Sequence, residues 1–253
     1  MTDIETTEMT QYGRTRINLR AGDLEGFIIL PAQGKQEGAP WLWYAPSFMR
    51  DPYPLPKDLH AWYLQPVLDA GIAVAGVDVG ESWGSPAGRA VYTRFHALVT
   101  DRFALDRRAC LMPQSRGGLM HYNWAAEHPD CVRCIGAIYP VCDVTRAVRL
   151  AKVAAAYGLT DEQLLAEAPK HHPIDRVAPL AERKVPILHI HGDRDEAVPL
   201  ATNSQALIDR YRQLGGPGEL IVVEGKGHEE IPDYFQNERM LEFYLTLGES
   251  LNR

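Results

Sequence analysis

Residues 113–118 read PQSRGG. A serine sits here between two polar neighbours, after an apolar run and just before a small-residue helix start. Two readings compete for Ser115. Serine is a common helix N-cap, its hydroxyl accepting a backbone N–H. A serine held at a sharp turn between strand and helix is instead presented as a nucleophile. The surrounding chain decides between them.

Working outward, RRACLMPQ reads as a strand and SRGGLMHYNWAAEHP as a helix that stops at His128-Pro129. RTRINLR and LEGFIILP predict two strands joined by a turn at Gly22 and Asp23, an antiparallel pair at one edge of a sheet. WLWYAP, GIAVAGVDVG, VRCIGAIYP, VPILHIHG and GELIVVEG are short apolar runs of the kind covered on both faces. Helical stretches separate them. Leu59, Trp62, Tyr63, Val67 and Ala70 fall at helical spacing up to Gly71, with Pro66 as a kink or boundary. VYTRFHALVTDRF predicts another helix, and Phe235, Met240, Leu241, Phe243, Tyr244 and Leu247 mark the last. This alternation predicts an α/β fold: a mostly parallel sheet of about eight strands with helices on both faces. Residues 143–184 contain no strand-like run, and Thr160 with Gln163 forms a capping box for DEQLLAEA. The expectation is a single domain over residues 1–253, with residues 143–184 inserted as a short helical cap.

The 253 residues are 45% hydrophobic and 23% charged, with a net charge of −7 and no basic cluster, which argues against a nucleic-acid groove. No apolar run reaches membrane-spanning length, and MTDIETTEMT lacks the blocks of a signal peptide, so a cytoplasmic protein is expected. Cys131 and Cys134 have zinc-like spacing without a second pair, and with Cys110 and Cys142 they read as buried free thiols.

In open α/β sheets ligands bind at the carboxyl ends of strands, where Ser115 falls. Gly117 and Gly118 suit a tight strand-turn-helix, although Pro113 stands where the usual elbow Gly-x-Ser-x-Gly has its first glycine. A serine hydroxyl needs a base, and the base an orienting acid. Both follow in the order serine, acid, histidine: Asp195 after VPILHIHG and His228 after GELIVVEG, each at the carboxyl end of a predicted strand.

QSRGG, HGDRDEAVP and GKGH, with the helices between them, resemble the α/β-hydrolase superfamily over nearly the whole chain, in a bacterial esterase-like branch. The resemblance implies a serine hydrolase of carboxylic esters with Ser115 as nucleophile, Asp195 as acid and His228 as base. It implies oxyanion donors at the N–H of Arg116 and at Ser47 or Phe48 in the loop after WLWYAP. It implies a small-molecule ester substrate, no cofactor and no metal. Trp83, Glu81, Arg50 and Tyr139 fall at the same sheet edge as candidate substrate-binding residues, although Trp83 also suits a packed loop anchor and Glu81 with Arg50 a surface ion pair. A prolyl-oligopeptidase-type peptidase or an acyltransferase uses the same groups, and a non-catalytic ligand-binding protein would keep the pocket without turnover.

Asp193 is the nearest rival for the acid, or else a turn residue that accepts backbone N–H groups. Asp143, at the end of an earlier strand, is a more distant one. His189, His191, Asp193 and Asp195 alternate like metal ligands, so a metal-dependent hydrolase completed by His171, His172 and Asp175 is a third class of reading.

Overall fold

The computed structural model describes residues 3–34, 36–45, 55–145 and 150–251. Their strands are β1 Glu5–Gln11, β2 Arg14–Ala21, β3 Leu24–Ile29, β4 Trp41–Ala45, β5 Ala73–Val77, β6 Ala109–Pro113, β7 Val132–Ile138, β8 Ile187–Gly192 and β9 Gly218–Val223. The α-helices are α1 Ala61–Asp69, α2 Pro86–Arg102, α3 Gly117–Glu127, α4 Leu150–Tyr157, α5 Asp161–Glu167, α6 Pro173–Arg176, α7 Ala178–Glu182, α8 Ser204–Gln213, α9 Pro232–Phe235 and α10 Glu238–Leu245.

All nine strands form one sheet in the order β1-β2-β3-β5-β4-β6-β7-β8-β9. The pairs from β1 to β5 are antiparallel, and those from β5 through β4 to β9 are parallel. The strand beyond the expected eight is β1. Its residues ETTEMT are exposed on both faces, so they show neither an apolar run nor alternation. Backbone pairing with β2, from Glu5 opposite Arg20 to Gln11 opposite Arg14, holds it as an edge.

Period-two alternation splits the core. On one face Trp41, Trp43, Leu111, Ile135 and Ile187 pack against α2, α3, α7 and α8. On the other, Leu42, Tyr44, Met112, Cys134 and Ile190 pack against α1, α9 and α10. A third cluster lies under α4 and α5, where Val153, Ala154 and Leu164 meet Trp83, Leu119, Val141 and Val198. The Thr160–Gln163 capping box is formed in both directions. Pro66 lies inside α1, and Gly71 beyond its end takes φ +87°. Cys110, Cys134 and Cys142 are buried free thiols, but Cys131 is only half-buried, because it belongs to the turn leading into β7. Among the described residues no helix is long and apolar enough to cross a membrane.

Pro113 ends β6 beside Ala45 of β4. Ser115 N–H donates to Ile138 O across the β6–β7 seam at 3.0 Å. Two residues back on each strand the same ladder sets Pro113, which has no N–H, against the Gly136 carbonyl. That carbonyl is not left unpaired. Tyr244 of α10 donates its hydroxyl to it at 2.7 Å. A side chain at Gly136 would fill the space the phenol needs, since a Cβ there would lie 2.4 Å from the Tyr244 ring.

Candidate active site

Ser115 stands between β6 and α3 with φ +50°, a conformation a non-glycine residue adopts only when its surroundings enforce it. Three backbone hydrogen bonds do so: Ser115 N–H to Ile138 O, and the N–H groups of Gly118 (2.9 Å) and Val141 (2.8 Å) to Ser115 O. Gly117 lets α3 start against β4, because a Cβ there would lie 2.0 Å from the Ala45 carbonyl oxygen. The turn has the strand-turn-helix geometry of a nucleophile elbow despite Pro113.

His228, in the loop after β9, presents Nε2 to Ser115 Oγ at 2.9 Å and Nδ1 to Asp195 Oδ2 at 2.7 Å. A carboxylate opposite Nδ1 fixes the proton on that nitrogen and leaves Nε2 to accept from the serine. Asp195 follows β8 and is buried. Its Oδ1 accepts the Val198 N–H at 2.7 Å, which closes the DEAV turn. Burial alone would raise the Asp195 pKa, but hydrogen bonds from His191, His228 and the Val198 N–H outweigh it and hold the carboxyl well below its usual range. Asp193 faces elsewhere and accepts the Gly225 N–H at 2.6 Å, tying the acid loop to the loop that carries His228.

Tyr139, at φ +34°, sets its ring 4.4 Å from the His228 ring and walls the base on one side. Its hydroxyl accepts from Gln114, whose amide also reaches Glu230 at 3.2 Å. Glu230 in turn takes both carboxylate oxygens to Lys57 Nζ at 2.8 Å. Burial works against this carboxylate, yet Lys57 and Gln114 keep its pKa below the ordinary value. Gln114, Glu230 and Lys57 were not singled out in the sequence. Only the nearness in sequence of Gln114 to Ser115, and of Glu230 two residues beyond His228, carried any signal.

Arg116 follows the nucleophile as the N-cap of α3. Its guanidinium takes both oxygens of Glu81 at 2.9 and 2.8 Å and lies 5.2 Å from the centre of the Trp83 ring. Glu81 therefore has Arg116 as an ion-pair partner. Trp83 is itself packed at 4% exposure among the apolar residues below α4 and α5. Ser47, Phe48 and Arg50 lie outside the described residues.

The HIHGDRD residues do not converge as a ligand set. His189 and His191 each engage both ring nitrogens with protein partners, and Asp193 turns to Gly225. His172 faces Asp143 at 3.5 Å and His171 faces Glu167 at 3.8 Å. Asp143 caps the turn at Thr145, accepting its N–H at 2.9 Å. Among the described residues no group of three or more histidine, cysteine or acidic side chains is arranged to hold a metal ion.

The family model described as prolyl oligopeptidase family matches residues 89–247, a span that includes Ser115, Asp195 and His228. The chain is similar in structure to an S-formylglutathione hydrolase from Agrobacterium tumefaciens (TM-score 0.70, 16% identity, covering 97% of this chain and 98% of that one). It is similar to Est1E from Butyrivibrio proteoclasticus (TM-score 0.66, 18% identity, 96% and 98%). It is also similar to dipeptidyl peptidase 4 of Porphyromonas gingivalis (TM-score 0.69, 16% identity), covering 97% of this chain but only 35% of that longer one. At these identities the likeness establishes the fold. No curated protein sequence matches the chain significantly.

Proposed function

The chain belongs to the prolyl oligopeptidase family of serine hydrolases, with an α/β-hydrolase fold, and on that premise we propose that it cleaves carboxylic esters through an acyl-enzyme on Ser115. The observation that carries this reading is the unbroken chain from Ser115 Oγ to His228 Nε2, and from His228 Nδ1 to Asp195 Oδ2, at the carboxyl edge of the sheet.

His228 accepts the hydroxyl proton as Ser115 Oγ bonds to the acyl carbon. The carbonyl oxygen takes up negative charge, and the Arg116 N–H at the head of α3 is one donor for it; a donor of this kind contributes roughly 3–4 kcal/mol to lowering the barrier. The same proton passes from His228 to the leaving alkoxide as the C–O bond breaks. Water then gives a proton to His228 and hydroxide to the acyl carbon; as the acyl–Oγ bond breaks, His228 returns that proton to Ser115 Oγ, releasing the acid and restoring the serine. Asp195 fixes the imidazole tautomer and stabilises the imidazolium in both halves. Tyr139 and the Gln114–Glu230–Lys57 cluster form the polar wall beside the base, which suits a small polar substrate.

The two neighbours matched along nearly their whole length, the S-formylglutathione hydrolase and Est1E, support the ester reading. The family's name and the dipeptidyl peptidase 4 likeness favour a second reading, peptide cleavage. One experiment separates them. Wild type and Ser115→Ala are assayed on short-chain p-nitrophenyl esters and on aminoacyl p-nitroanilides, with and without EDTA. Ester turnover that is lost in Ser115→Ala and indifferent to EDTA is expected. Faster cleavage of the anilides would replace the ester reading by the peptidase one. Activity surviving in Ser115→Ala would remove the serine from the mechanism.

A further inference from the structure

The triad acid is not held by His228 alone. His191, wholly buried on β8, brings its Nε2 to 3.2 Å from Asp195 Oδ2 and to 2.8 Å from the Val198 carbonyl oxygen. Both are acceptors, so Nε2 must carry a proton. The other ring nitrogen, Nδ1, lies 2.7 Å from Ser204 Oγ on α8. The same hydroxyl lies 2.9 Å from His189 Nδ1, and His189 Nε2 lies 2.5 Å from the hydroxyl of Tyr122 on α3. Tyr122, His189, Ser204 and His191 are all buried, so none of these groups has solvent to fall back on.

Hydrogen-bond chemistry permits one direction for this chain while both imidazoles are neutral. His191 with its proton on Nε2 must accept at Nδ1, so Ser204 donates there. Ser204 has one proton, so it accepts from His189 Nδ1–H. His189 Nε2 is then an acceptor and takes the Tyr122 proton. The donors from Tyr122 to Ser204 each have one acceptor, and the chain ends at the His191 Nε2–H, which is donated to the Val198 carbonyl and lies 3.2 Å from Asp195 Oδ2. Burial keeps His189 neutral, with a pKa lowered to about 3, and pushes the Tyr122 phenol far above its usual value, so neither end reverses the chain at neutral pH.

We propose that His191 is a positioning residue of the triad, and that the directed chain Tyr122–His189–Ser204–His191 fixes the Asp195 carboxylate and shares its charge between two imidazoles. The inference rests on the triad reading above. Asp195 Oδ2 receives the His228 N–H at 2.7 Å and has the His191 Nε2–H, which it shares with the Val198 carbonyl, at 3.2 Å, while Oδ1 receives the N–H of Val198; the phenols of Tyr139 and Tyr234 are the next groups to sense its charge. A carboxylate so divided stabilises the His228 imidazolium less than one serving His228 alone. The imidazolium formed as Ser115 attacks is therefore held less tightly and passes its proton on to the leaving group. Ser204, by donating to Nδ1, keeps the His191 proton at Nε2, where Asp195 needs it.

The test reads the triad without a known substrate, through the rate at which an organophosphonate ester labels Ser115 as a function of pH. His191→Leu removes both ring partners, and His191→Gln restores an N–H near the Nε2 position. In His191→Leu the labelling rate is expected to fall about tenfold, by analogy with loss of outer-shell partners in metal sites, and the acid limb of its pH profile to move upward by roughly half a unit or more. His191→Gln is expected to recover most of both, with Ser204→Ala between them. Should His191→Leu fail to fold, 15N NMR of the wild type still reads the chain, with His191 expected as the Nε2–H tautomer and His189 as the Nδ1–H tautomer. Opposite tautomers, or a folded His191→Leu with an unmoved acid limb, or equal losses in the Leu and Gln variants, would overturn the proposal. A wild type that is not labelled at Ser115 would overturn the triad reading itself, and this inference with it.

Discussion

Ser115 has a left-handed backbone, and the glycine two residues on removes the obstacle to it. An alanine at position 117 would raise intrinsic helix propensity by about 1 kcal/mol. The same Cβ would lie 2.0 Å from the Ala45 carbonyl oxygen, a separation real atoms do not tolerate. Close contact dominates, so Gly117→Ala is expected to lose about 1–3 kcal/mol of stability and to slow phosphonate labelling of Ser115 as β4 and α3 separate. Thermal melts and labelling rates check this, and an unchanged pair of values would show that the elbow does not need the glycine. At this scale the sequence was most legible where chemistry dictates residue type. Ser115, His228 and Asp195 were each expected, and the structure brings all three together. The alternation of His191 with His189 does not by itself say what the pair faces. Alternation with His189 looks the same whether two imidazoles face a metal or a serine, and Ser204, which distinguishes the cases, arrives from a helix no local pattern places opposite them.

Among the elements, β6 shows how a local rule is broken and mended from a distance. Proline at the end of a central strand removes a ladder donor, and the sequence contains no hint of the replacement, because Tyr244 is 108 residues from Gly136. Tyr244→Phe leaves a buried carbonyl unpaired and is expected to destabilise the fold by about 1–3 kcal/mol. Pro113→Ala restores a backbone N–H opposite that carbonyl, so the double variant Pro113→Ala/Tyr244→Phe is expected to be less destabilised than the sum of the two single changes. Denaturant unfolding of the four proteins gives the coupling; strict additivity would mean the phenol does not stand in for the missing N–H. The parallel strands were readable because burial on both faces leaves a continuous apolar run. Strand β1 was not, because an exposed edge held by backbone hydrogen bonds asks almost nothing of its side chains.

Across the whole molecule, acid is the expected weakness. His60, His121 and His189 are buried and neutral, with pKa values lowered by burial to about 4, 3 and 3. In the unfolded chain each binds a proton below about pH 6.5. Between that pH and their folded values the unfolded state holds more protons, so stability falls as pH falls. At pH 4.5 the cost is about 2–3 kcal/mol per histidine. Asp195 adds the same sign lower down: its depressed pKa contributes stability present above about pH 3.9 and lost as pH drops further. Urea unfolding at pH 7.5 and 4.5 is expected to show a much lower midpoint in acid, and equal midpoints would refute the neutral-histidine account.

Tyr244 belongs to α10, the last α-helix of the described residues. A chain made from its amino end carries Ser115 long before it carries Tyr244, so the Gly136 carbonyl beside the elbow has no phenol to accept from until α10 has been made. The order of synthesis therefore leaves one carbonyl of the central strand pair to be satisfied by the chain's last α-helix among the described residues.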